Sequence, residues 1–170
     1  EHPTILLIMG LGAQMLFWPD FFCKSLIDQG FRVIRFDNRD IGLSSKVRHQ
    51  GKRLNTMKLM GRFALGLRNQ GAPYTLYDMA DDVSMLLDRL GVSKAHVIGA
   101  SMGGMIAQIL AAKYPEKVEK LGLMFTSNNQ PFLPPPFPKQ LLSLIGKPES
   151  RDEEGIVNHS LKLFQLIGSP

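Results

Sequence analysis

The 170-residue chain carries 20 Lys and Arg against 15 Asp and Glu, is 44% hydrophobic, and contains 16 Gly, 11 Pro and one Cys. It is too apolar and too weakly charged to remain disordered, and one domain's length can bury a core. The lone Cys23 excludes an internal disulfide framework and a Cys-rich zinc module, and it fits a reducing, cytoplasmic compartment.

The chain opens on Glu1-His2-Pro3 with no initiator Met, basic n-region or apolar signal core, so a cut or processed start is expected. The longest uninterrupted apolar run, Ile5 to Met9, falls far short of the roughly 20 residues that span a bilayer. Thr4 to Met9 suits a strand buried on both faces of a parallel sheet, stopping at Gly10. Phe17 to Gln29 places Phe17, Phe21, Phe22, Leu26 and Ile27 near a 3.6-residue period and predicts a helix closed by Gly30. Phe31 to Phe36 returns as a strand, which completes a βαβ unit.

From Ser45 to Gln70 the basic residues Lys46, Arg48, Lys52, Arg53, Lys58, Arg62 and Arg68 meet no acidic one, leaving the remainder slightly acidic. Phe63 is the sole aromatic there, which argues against a stacking surface for nucleic acid. A solvated loop and helix is the plain reading, and a positive rim that attracts acidic substrates or lipid headgroups is the sharper one.

Thr75 to Leu90 reads as a helix, with Thr75 and Asp78 in capping-box spacing and Gly91 closing it. Lys94 to Ile98 is the next strand, Met102 to Lys113 an apolar helix ended by Pro115, and Lys120 to Phe125 one more strand. This alternation predicts an α/β fold, a mainly parallel sheet flanked by helices over residues 1–130. Pro131, Pro134, Pro135, Pro136 and Pro138 predict a stiff connector, followed by helices over Lys139–Ile145 and Gly155–Ile167. Residues 131–170 therefore form an appendage to the sheet.

The chemistry-bearing signal is Gly99-Ala100-Ser101-Met102-Gly103, a G-x-S-x-G directly after a strand and before a helix. Such a tight turn pushes the Ser101 side chain out at the carboxyl edge of the sheet, and Gly99 and Gly103 leave room where a Cβ would strike backbone. The helix start offers free N–H groups to a developing oxyanion. The plainer reading is that Ser101 only caps the helix. Met9-Gly10-Leu11-Gly12 follows the first strand at the same edge, and the Leu11 N–H is a candidate oxyanion donor.

These residues, with Phe36-Asp37-Asn38-Arg39-Asp40-Ile41-Gly42-Leu43-Ser44, resemble the α/β-hydrolase superfamily over residues 1–130. The middle segment is similar to D-x-R-G-x-G-x-S, with Asp40 in place of the first glycine. Its form is most like the esterase branch that includes aclacinomycin methylesterase and enol-lactonases. The resemblance implies Ser101 as nucleophile, the Leu11 and Met102 amides as oxyanion hole, and residues 131–170 as the start of a helical cap.

It also implies an acid and a histidine later in the chain, in the order Ser, Asp or Glu, His. His159 sits in a predicted cap helix with no strand before it, His96 lies inside the strand that feeds the turn and reads as structural, and Glu149, Asp152, Glu153 and Glu154 read as a solvated cluster. The triad acid and histidine are therefore expected beyond Pro170, in a parent of about 250 to 300 residues. The expected activity is serine-dependent hydrolysis of a small-molecule carboxylic ester or lactone, with no metal or organic cofactor. Met15, Phe17, Trp18 and Met102 read as core, with an apolar acyl pocket as the alternative.

Two other readings stay open. A fragment without its base would be an inert or purely binding module. A dinucleotide-binding domain would use Gly10, Gly12 and Asp37, but position 15 is Met and Pro19 falls where its helix should already be running.

Overall fold

A computed structural model describes residues 2–47, 72–128, 130, 150 and 152–167. The basic stretch beyond Val47, the proline cluster, the helix expected over Lys139–Ile145 and Glu149 all lie outside the described residues. The chain divides into two compact units, Glu1–Pro131 and Phe132–Pro170.

In the first unit four strands, β1 (Thr4–Ile8), β2 (Arg32–Arg35), β3 (Ala95–Ala100) and β4 (Val118–Met124), form one sheet in the order β2-β1-β3-β4. Every pairing is parallel, with Ile5 opposite both Val33 and His96, and Gly99 opposite both Ile8 and Leu123. Among the described residues three helices pack on it: α1 (Asp20–Asp28), α2 (Leu76–Arg89) and α3 (Met102–Lys113). The second unit contributes α4 (Glu153–Ile167).

β1 is buried along its whole length, which explains why it reads as a continuous apolar run. Its side chains alternate between two cores. Leu6 and Ile8 join Met79, Ala80, Val83 and Leu87 of α2, Val97 of β3, and Ile106, Ala107 and Leu110 of α3. Ile5 and Leu7 meet Trp18, Cys23 of α1 and Ala100 on the opposite face. Each fully buried aliphatic side chain contributes about 1.5–3 kcal/mol relative to exposure. α1 and α3 thus cover opposite faces, as right-handed crossovers require when β2 and β4 flank the centre on opposite sides.

Local structure departs from expectation in two places. Residues 17–29 are not one helix: Met15–Phe17 is a 3-10 turn and α1 begins only at Asp20, because Pro19 (φ −60°, ψ 142°) is extended and stands at the N-cap. β3 runs on through Gly99 and Ala100, and β4 starts at Val118, because their mutual ladder extends beyond the apolar runs. Trp18, by contrast, is 4% exposed and stacked on Phe22 at 5.6 Å, so it belongs to the core, as expected.

The capping box of α2 forms as the spacing predicts. The Asp78 carboxylate accepts from the Thr75 hydroxyl and amide, both at 2.6 Å, and the Asp78 amide donates back to Thr75 Oγ1 at 3.3 Å. The Thr75 hydroxyl, then its amide, hold the Asp78 carboxyl below its ordinary value of 3.8. A depressed folded-state pKa stabilises above the unfolded value and is lost as pH falls through the folded one. Asp78→Asn should therefore lower the thermal midpoint at pH 7, and the difference from wild type should shrink below about pH 4. A pH-independent difference in a calorimetric series would refute the cap as its cause.

Candidate active site

β1 and β3 are adjacent, yet their connections leave toward opposite sides of the sheet, so a crevice opens at their carboxyl ends. Two turns meet there: Met9–Ala13 after β1, and Ser101 between Ala100 of β3 and Met102 of α3.

Ser101 has φ 53° and ψ −122°, a conformation that costs an L-residue of order 1–3 kcal/mol and is held by its surroundings. Its amide donates to Met124 O at 3.0 Å. Its carbonyl accepts from Gly104 N (2.9 Å), Met105 N (3.3 Å) and Thr126 Oγ1 (2.6 Å). Its hydroxyl bonds no described residue. The plainer role, a side-chain cap, is not realised, since that hydroxyl makes no capping bond to α3.

The glycines around it are required by close packing. A Cβ on Gly99 would lie within 3.0 Å of the Gly103 backbone, one on Gly103 within 3.0 Å of Ile8 O and Met9 O, and one on Gly104 within 3.0 Å of the Thr126 side chain. A Cβ on Gly10 would stand 3.1 Å from Ser101 Cβ, so the Met9–Ala13 turn lies directly against the serine. In that turn Gly10 O accepts from Ala13 N at 3.4 Å. A trans peptide opposes its C=O and N–H, so the Leu11 N–H points away from Ala13, and no described residue accepts from it. Met102 is the first residue of α3, and its N–H precedes the first bond of the helix, which Gly104 N and Met105 N make to Ser101 O.

The segment after β2 braces this arrangement, a part that its motif resemblance does not name and that differs from the use of Asp37 in the dinucleotide reading. Asp37 accepts from Met15 N (2.7 Å) and Leu43 N (3.1 Å), while Asn38, 3% exposed, donates to Met9 O at 2.9 Å. Gly42 (φ +48°) must lack a Cβ because Asp37 fills that space. Asp40, standing where the superfamily motif has glycine, has φ 66°. Aspartate tolerates that region, and its carboxylate accepts from Val47 N at 2.6 Å. Thr126, anchored on the Ser101 carbonyl, also went unread, because no local pattern links it to the turn.

A crevice of about 850 Å³ runs from Leu11, Gly12 and Met102 along Ile41, Leu76 and Met79 to Arg39 and Tyr74. Arg39 forks onto Asp82 (Nε to Oδ2 2.6 Å, Nη2 to Oδ1 2.7 Å), donates to Asp78 O at 3.2 Å and lies 4.9 Å from the Tyr74 ring centroid. The hydrogen bond to Asp82 raises the Arg39 pKa. Burial, then a hydrogen bond to Asp40, pushes the Tyr74 hydroxyl up to about 12, so Tyr74 stays protonated. Of the candidate acyl-wall residues, Met102 lines the crevice, Met15 is half-buried and Phe17 is exposed.

Two histidines are placed away from Ser101. His2 bonds Gly30 O at 2.9 Å, and His96 sits edge-on to Phe31, its ring 5.7 Å away. Both lie at the amino ends of strands, and five residues of β3 put His96 about 16 Å from Ser101. His49 lies outside the described residues. In the second unit His159 is half-buried on α4, lining a 460 Å³ cavity with Asp152, Glu154, Asn158 and Lys162. The described acidic residues there, Asp152, Glu153 and Glu154, are exposed, and the Asp152 carboxylate also accepts from Gly155 N (2.9 Å) and from Ser150 Oγ, capping α4. The Ser150 bond first, then Gly155, lower its pKa. Among the described residues no three His, Cys, Asp or Glu side chains cluster to hold a metal, and no helix is long and apolar enough to cross a membrane.

A serine on a strained strand-to-helix turn, faced by a glycine loop at the switch point of a parallel sheet, is the site of an α/β-hydrolase fold. The chain belongs to that family: the model described as alpha/beta hydrolase fold matches residues 3–161. It is 36% identical over 120 residues to rhodomycin D methylesterase of Streptomyces peucetius, covering 71% of this chain and 34% of that protein. The chain thus spans about a third of the length of the curated relatives it matches. Among solved structures it is similar to a hydrolase from Pseudomonas aeruginosa (TM-score 0.59, 25% identity, 99% of this chain and 55% of that one). It is also similar to a structure from a study of Nitrososphaera gargenis carboxylesterases (TM-score 0.51, 28% identity, 75% of this chain and 39% of that one).

Proposed function

We propose that this chain carries the nucleophile half of a serine hydrolase for carboxylic esters or lactones. The observation that carries the reading is Ser101 at φ 53°, its hydroxyl bonded to no described residue and its Cβ against Gly10. Ser101 Oγ attacks the carbonyl carbon and gives its proton to a histidine, while the oxyanion takes hydrogen bonds from the Leu11 and Met102 amides. The C–O bond to the alcohol then breaks, the histidine returns the proton to the leaving oxygen, and an acyl-Ser101 ester remains. Water repeats the sequence, releasing the acid and restoring the serine. No cofactor is invoked, because a nucleophile, two amides and a proton shuttle complete the cycle.

The histidine and its acid are assigned to positions after Pro170, and residues 131–170 to the proline-rich connector and beginning of a cap. The relative named as a methylesterase and the structure from the carboxylesterase study support the ester reading, and relatives named as putative carbamate hydrolases support hydrolysis more broadly.

The test is intact-mass analysis after treatment with a fluorophosphonate. One adduct is expected on the full-length protein, absent from Ser101→Ala, and none on the 170 residues alone. An unlabelled full-length protein refutes the reading. Ser101-dependent labelling of the 170 residues would instead place the base inside them.

A further inference from the structure

We propose that Asp37 and Asn38 are positioning residues that aim the Leu11 amide at the reacting carbonyl oxygen. The inference rests on the serine-hydrolase reading above and adds two side chains to it.

The turn that carries Leu11 has two weaknesses. Gly10 and Gly12 give it little intrinsic stiffness, and its own closing bond, Ala13 N to Gly10 O, is long at 3.4 Å. The Leu11 side chain is 70% exposed and does not anchor it. Nevertheless an oxyanion donor works only when it is already aimed, because reorganisation during the reaction would consume the electrostatic gain. Something outside the turn must fix it.

Two consecutive residues after β2 do so from both ends. Asn38 Nδ2 holds Met9 O at 2.9 Å, which sets the peptide plane entering Gly10. Asp37 Oδ1 holds Met15 N at 2.7 Å, which sets the exit. Asn38 is buried, so its amide is held without competition from water. Asp37 is itself fixed: its second oxygen takes Leu43 N, its backbone carbonyl takes Ser44 Oγ at 2.6 Å, and Gly42 is cut away to admit it. The loop is thus clamped to β2, the strand on the far side of β1 from Ser101.

The experiment compares Asp37→Asn and Asn38→Leu with Ser25→Ala in the full-length protein, using one chromogenic ester and phenylboronic acid as a tetrahedral mimic. Ser25→Ala removes an exposed hydrogen bond to Phe22 O on α1 and touches neither the segment after β2 nor the Met9–Met15 turn. Asp37→Asn and Asn38→Leu should each lower kcat about 10- to 100-fold at nearly unchanged KM and weaken the boronate by a similar factor, while Ser25→Ala should leave both within about twofold. Equal losses in all three variants, or unchanged kcat in the first two, would overturn the proposal. If those two do not fold, hydrogen exchange on the unmodified protein decides: Met15 should exchange more slowly than its neighbour Leu16, and equal rates would overturn it. Turnover retained by Ser101→Ala would sink the serine reading itself. An inactive Ser101→Ala beside a fully active Asp37→Asn and Asn38→Leu would sink this inference alone.

Discussion

Gly103→Ala is expected to destabilise the protein by about 3 kcal/mol or more, the upper range for overpacking. The added methyl would meet Ile8 O, Ile8 C and Met9 O, all backbone atoms of the strand end and turn that face Ser101. No rotamer change relieves a clash between two main chains, so α3 must move away from β1 and carry Ser101 with it. Gly12→Ala is the comparator. Gly12 has φ 72° and open space around it, so alanine there meets only the backbone penalty of about 1–2 kcal/mol. Urea titrations of both variants check this. A Gly103→Ala midpoint no lower than that of Gly12→Ala would show that the contact between α3 and β1 yields easily.

Ser101→Ala should do the reverse, lowering kcat of the full-length protein by about 10⁴-fold or more while leaving its unfolding midpoint nearly unchanged. Alanine keeps the Cβ against Gly10 and removes only a hydroxyl that bonds no described residue. Ser101→Gly sharpens the test. It should be equally inactive yet more stable than Ser101→Ala by about 1 kcal/mol, because glycine relieves the positive φ. Steady-state turnover with thermal unfolding of the two variants measures both. A substantial residual rate in either would remove Ser101 from the chemistry.

The parts legible in the sequence were those written in local pattern. Met102–Lys113 forms as the helix expected between Ser101 and Pro115, since a tight turn and a proline mark both of its ends. Thr75 and Asp78 marked the start of α2 for the same reason. The glycines of the Ser101 turn were legible as a group, but not which backbone each one meets: Gly103 faces Ile8, some ninety-five residues earlier in the chain, and only the pairing of β1 with β3 brings them together. Asp37 and Asn38 looked like motif letters, because their partners Met15 and Met9 are set by β2 lying beside β1. Pro19 was visible, yet the helix was begun too early at Phe17, since the periodicity of Phe17, Phe21 and Phe22 masked a 3-10 turn.

The pairing of Ile5 with His96 has a consequence for how the site comes into being. Ser101 lies in a βαβ unit, residues 95–124, whose two strands pair across only 23 or 24 residues of sequence. The Leu11 turn reaches it only after the chain closes on itself across most of the residues between 5 and 96, and that closure entropy is met before the first β1–β3 bond repays it. The nucleophile turn can therefore form within its own unit, whereas the loop opposite it docks with the slower, long-range step, so the two halves of the site mature at different times during folding.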